Sequence, residues 1–127
     1  MQGIIQLTEA QGWAIGAAVA FMAMDILTGF IAAAINRCIS SSKMREGIGH
    51  KALMLCVIAV ALMVEVASEH VVGLGFGGVT VVAVCAYMVV MEVASIMENV
   101  CSAYPELRDT PLMRVFDHQG EGGGSHE

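Results

Sequence analysis

Three apolar stretches, at residues 13–35, 52–67 and 79–97, each hold one carboxylate and no lysine or arginine. At about 20 residues per crossing, the first and third are long enough to traverse the hydrocarbon core of a bilayer, and the second, with about 16, lies near the lower limit. A backbone in lipid must satisfy its own hydrogen bonds, so each stretch reads as a helix. Of the 127 residues 57% are hydrophobic and only 14% charged, with a mean hydropathy of +0.72, which excludes an ordinary soluble enzyme. The predicted fold class is therefore an all-α integral membrane protein with three transmembrane helices. Residues 1–116 form its single membrane domain and residues 117–127, rich in glycine, a flexible polar tail.

The cations fix an orientation. Arg37, Lys43, Arg45 and Lys51 face only Glu46 in the segment 36–51, which also holds Ser40, Ser41 and Ser42 and two glycines, and reads as a basic loop. The remaining basic residues, Arg108 and Arg114, follow the third stretch. By the positive-inside rule the loop and the C-terminus are cytoplasmic and the N-terminus is outside. The opening residues carry no cation ahead of a short apolar core, so they do not read as a secretory signal peptide. The glycines from Gly73 to Gly78 read as a tight turn joining the second and third spans into a hairpin.

The intramembrane acids are the candidate pore or switch residues. Asp25 lies near the middle of the first span, where an ionised carboxylate is costly unless it meets water or a partner. Thr28 follows it on the same face, and Glu92, Ser95 and Asn99 share one face of the third span. Glu65 gives the second span its own acid, close enough to the boundary to reach water by snorkelling. Because Arg37, Lys43, Arg45 and Lys51 are placed at the interface and not at membrane depth, three such acids cannot be satisfied inside one small monomer, which points to a homo-oligomer or a water-filled path. Gly12, Gly16 and Ala20 recur every fourth residue, a pattern that lets helices approach closely, and Gly29 is a further packing position.

Other chemistry is weakly signalled. The four histidines are not at ligand spacing with one another or with cysteines, so no metal site is expected. The four cysteines lack any CxxC spacing and read as reduced and structural. No phosphate loop or paired nucleophile and base is present, so neither an enzyme nor a cofactor is expected. Twelve acidic residues against six basic ones, with no basic run, argue against nucleic acid as a partner.

The segments Asp25-Ile26-Leu27-Thr28-Gly29, Ile39-Ser40-Ser41-Ser42 with Gly47 and Lys51, and Glu92-Val93-Ala94-Ser95-Ile96-Met97-Glu98-Asn99 with Pro105 and Leu107 resemble the toxin secretion/phage lysis holin family in order and spacing. The resemblance spans roughly residues 15 to 115. It implies a protein that assembles with itself in the host bacterial plasma membrane and opens lesions. Through these an endolysin, or in some relatives a toxin, leaves the cytoplasm without required direct contact. The chain departs from the family in its tail, which from Pro105 onward is net acidic where relatives often end strongly basic. A small proton-coupled transporter or ion channel, or an inhibitory antiholin, would share the intramembrane acids.

Overall fold

A computed structural model of the chain describes residues 6–76, 80–111 and 113–114. Three helices, α1 (Glu9–Ile35), α2 (Ser41–His70) and α3 (Val81–Ala103), are followed by a short 3-10 turn at Pro105–Asp109. Each helix is long and apolar enough to cross a membrane. The predicted tail at 117–127, the first five residues and the expected start of the third span at 79 lie outside the described residues.

Local chemistry sets the ends. Thr8 and Gln11 form a capping box at the start of α1, with the Gln11 amide donating to the Thr8 hydroxyl and Gln11 Oε1 accepting from the Thr8 amide at 2.9 Å. At the other end Arg37 adopts φ 54°, and the Cys38 amide donates to Ala33 O at 2.9 Å while the Arg37 amide donates to Ala34 O. This is a Schellman turn with arginine where glycine is usual. Ser40 caps α2 by accepting from the Lys43 amide, and Thr80 caps α3 by accepting from that of Ala83. Gly73 and Gly75 both take positive φ, which lets the chain reverse between α2 and α3.

Several expected boundaries are corrected. The basic segment 36–51 is not a loop: only residues 36–40 connect α1 to α2, and Arg45 and Lys51 lie on the helix. The Ser40 cap starts α2 well before the apolar stretch, and the two glycines at 47 and 49, each costing about 1 kcal/mol in a helix interior, do not stop it. The second span is thus not the short 52–67 run but part of a 30-residue helix, about 45 Å long. Ser68, Glu69 and His70 complete its last turn instead of forming the hairpin connection. Helix α1 starts at Glu9 instead of residue 13, and α3 continues past residue 97, which brings Asn99 and Ser102 onto the helix. After the 3-10 turn Thr110 O accepts from the Met113 and Arg114 amides, and Pro111 sits just after Thr110, where its missing N–H costs nothing.

The direction of the chain makes α1 and α3 parallel and α2 antiparallel to both. Their shared core is Ala18 and Met22 from α1, Ile58 and Ala61 from α2, and Val81, Cys85 and Met88 from α3, all in the half nearest the 71–80 connection. Glu65 joins the helices there, its Oε2 accepting from the fully buried Val81 amide at 2.8 Å. Trp13, Leu53, Met63 and Tyr87 remain largely exposed, as side chains facing lipid are expected to be. The Glu65→Ala variant leaves the buried Val81 amide without an acceptor and should lose about 1–3 kcal/mol, whereas Glu65→Gln keeps an acceptor oxygen and should lose less. Thermal unfolding of both variants in detergent, followed by circular dichroism, measures the difference.

Candidate functional site

In the half of the molecule nearest residues 36–40, polar residues replace the apolar core. Asp25 lies ten residues before the end of α1, Lys51 ten residues after the start of α2, and Glu92 eleven residues before the end of α3. At 1.5 Å per residue all three stand about 15–17 Å from the same end of the bundle. Their side chains meet. Lys51 Nζ is 2.8 Å from Asp25 Oδ2 and 2.6 Å from Glu92 Oε1, and it also donates to Glu92 Oε2. The Glu92 side chain is 3% exposed, Lys51 11% and Asp25 13%.

The cluster continues toward the helix ends. Asn99 Nδ2 donates to Asp25 Oδ1 at 2.9 Å, to the Asp25 carbonyl at 3.2 Å and to Thr28 Oγ1 at 3.1 Å. The Thr28 hydroxyl donates back to the Asp25 carbonyl. Gly29 lies against this cluster, and a Cβ at that position would be in van der Waals contact with the Asn99 amide, 3.4 Å from Nδ2. Near the surface, Asn36 Nδ2 donates to Ser102 Oγ at 3.1 Å and to the Ser102 carbonyl. A polar ladder therefore binds α1 to α3. Among the described residues no buried side-chain nitrogen or oxygen is left without a partner.

Beside this ladder lies an open cleft of about 340 Å³ between α1, the first half of α2 and α3. It runs from Ser40 and Lys43 at the mouth to Asp25 and Lys51 at the inner end, with Ser95 on the α3 wall.

The sequence-predicted residues fall into three groups. Asp25, Thr28, Gly29, Glu92 and Asn99 come together, with Ser95 beside them. Glu65 stands apart at the opposite end, where it bonds the first amide of α3. Gly12, Gly16 and Ala20 are exposed, and nothing lies within 4 Å of a Cβ built on either glycine, so they do not pack inside the chain. Lys51 is the principal correction. It was placed in a cytoplasmic loop as a topology marker, whereas it is a partly buried helical residue that pairs with both acids, and the expectation that the acids at 25 and 92 cannot be satisfied within one monomer fails with it.

Sequence reasoning also missed Asn36 and Ser102. Ser102 extends the Glu92, Ser95, Asn99 face by one further step of three, a signal that was available. The signal for Lys51 was its position at the edge of an apolar run, where its four-carbon stem can reach inward.

A family model described as the bacteriophage holin family matches residues 5–105, most of the chain. No curated protein and no solved structure matches it.

Removing one member of the charge cluster should reveal its coupling. The Lys51→Met variant leaves two carboxylates without their cation and should destabilise the fold by about 3–5 kcal/mol. Adding Asp25→Asn and Glu92→Gln to it should restore much of that loss. Denaturant titration in micelles of the single and triple variants checks this; equal stability of the two would show that the charges are not coupled.

Proposed function

Since the chain belongs to the bacteriophage holin family, we propose that it accumulates in the host plasma membrane, assembles with itself and opens lesions through which an endolysin reaches the cell wall. The family is one of membrane pore-forming proteins and not of enzymes. The observation that carries the mechanism is the buried Lys51, Asp25 and Glu92 cluster, which stores charge between helices while each monomer stays closed. Arg37, Lys43 and Arg45 favour the cytoplasm for the end at residues 36–40, with the N-terminus of α1 outside.

In this scheme the closed monomer hides its polar ladder in the α1–α3 contact. Opening separates α1 from α3, so that Asp25, Thr28, Glu92, Ser95 and Asn99 become the wet lining of a lesion built from several copies. Charged groups at membrane depth tolerate water far better than lipid, so once water enters, the open arrangement is favoured. The exposed Gly12, Gly16 and Ala20 face supplies a close-packing surface between copies. Opening also responds to membrane potential, because a charge moved through the full field gains about 2.3 kcal/mol per 100 mV.

The test is induced expression in bacteria with and without a cytoplasmic endolysin, following culture density and release of a large cytoplasmic reporter. Abrupt lysis that needs the endolysin, with reporter release, is expected. Ion leakage and growth arrest without such lysis would instead mark a small channel or transporter, and absence of killing an antiholin.

The cluster itself makes a further expectation. With both acids ionised it has one negative charge in excess, and Asp25→Asn leaves a neutral Lys51–Glu92 pair. The closed state gains, and lysis should be delayed relative to wild type at equal membrane abundance. Lysis on the wild-type schedule would remove Asp25 from the switch.

A further inference from the structure

The cleft beside the polar ladder has no role in the scheme above. Its α1 and α2 walls are apolar, formed by Ile26, Phe30 and Ala33 of α1 and by Met44 and Ile48 of α2, whereas its α3 wall is polar, with Ser95, Asn99 and Ser102. At its mouth stands Lys43, exposed and one turn into α2, next to Ser40, whose hydroxyl oxygen caps the helix and whose O–H remains available to donate. At the mouth, Lys43 is the charged side chain that lines the cleft, and the other lining charges, Asp25 and Lys51, lie at its inner end and are paired with each other. The inner end offers nothing to a second polar ligand, because the three N–H groups of Lys51 are spent on Asp25 and Glu92, and Asp25 Oδ1 is held by Asn99.

A slot about 15 Å deep with apolar α1 and α2 walls, closed at its inner end by satisfied polar groups and carrying the Lys43 ammonium at its mouth, has the chemistry of a phospholipid site. We propose that this cleft binds one anionic phospholipid of the surrounding bilayer, with the phosphate at Lys43 and Ser40 and an acyl chain lying between α1 and α2. The occupant is chosen by charge complementarity at the mouth and by the apolar walls. A zwitterionic lipid would match the walls but not the net charge of the rim. Seated there, the lipid covers the face of α2 that α1 leaves open and holds the first turns of α2 beside α1.

The full-length protein, purified in neutral detergent, is mixed with equal amounts of phosphatidylglycerol and phosphatidylcholine carrying the same acyl chains. Native mass spectrometry then counts the lipid retained per chain. One phosphatidylglycerol per chain is expected, preferred about fivefold over phosphatidylcholine, which is what a single cation at an anionic surface supplies.

Two variants separate the headgroup from the slot. Lys43→Gln should abolish the preference while leaving total lipid nearly unchanged. Gly47 also lines the cleft, and a Cβ there meets nothing within 4 Å, so Gly47→Leu should occupy the slot and reduce retention of both lipids. Leucine is the better helix former, so helical content by circular dichroism should not fall.

Equal retention of the two lipids by the wild-type chain would overturn the proposal. So would undiminished lipid on Gly47→Leu, or a second copy of the chain found in place of lipid. Binding is read on purified protein, so its outcome is independent of whether the chain lyses cells.

Discussion

A single ammonium group held between carboxylates from two other helices sets the register of the molecule. For Lys51 Nζ to touch both Asp25 and Glu92, all three residues must stand at one level, and they do so because each lies ten or eleven residues from the helix end nearest the 36–40 connection. That equality constrains the connection to be short. It also requires α2 to begin at Ser41, since a start near residue 52 would leave Lys51 on a loop with no fixed direction. The cost of bringing three charges out of water is several kcal/mol per ion, offset only when every donor and acceptor is matched. Here each N–H of the lysine meets an acid oxygen, and Asn99 takes the Asp25 oxygen that remains free.

The two halves of the bundle are consequently built on different physics. Toward the 71–80 connection, small and flexible apolar side chains interlock, and the Glu65 to Val81 bond ties α2 to the start of α3. Toward the 36–40 connection, directional hydrogen bonds replace that core and a cleft separates α1 from α2. Dispersion contacts in the apolar half are equally available in lipid, whereas the polar half depends on partners that water can replace. Entry of water therefore weakens one half selectively. In the proposed opening the apolar half would then serve as the joint about which α1 and α3 part.

Much of this was legible in the residues. The three helices follow from three apolar stretches, and the two polar faces, Asp25 with Thr28 and Glu92 with Ser95 and Asn99, follow from helical spacing, though not their meeting within one chain. Family membership was legible from the same acidic motifs. What could not be read was the length of α2: serines, glycines and a run of cations look like a loop when judged by local preference, and only the Ser40 cap and the distant acids make them a helix. The misplacement of Lys51 followed directly, because a cation assigned to a loop is counted for topology and not for pairing. Glu65 was misjudged for a related reason. Its position near the end of an apolar run is compatible with reaching water, but the amide it finds belongs to a residue 16 positions later, beyond anything that spacing on one helix can show.

Placing Lys51 inside the bundle also changes what must drive self-association. If the acids at 25 and 92 had no partner, each copy would be forced to find others on insertion, and dispersed monomers would be a high-energy state. With Lys51 supplying the partner, a lone copy has no buried side-chain nitrogen or oxygen left without a partner among its described residues. Under the proposed scheme copies would then accumulate singly, and their association would rest on weaker forces, such as close packing along the exposed Gly12, Gly16 and Ala20 face. Weak association of a charge-satisfied monomer rises with concentration, so assembly waits until the membrane is crowded. In the proposed scheme, that ordering is what a timed lesion would need, and it would originate in the depth at which one lysine is placed.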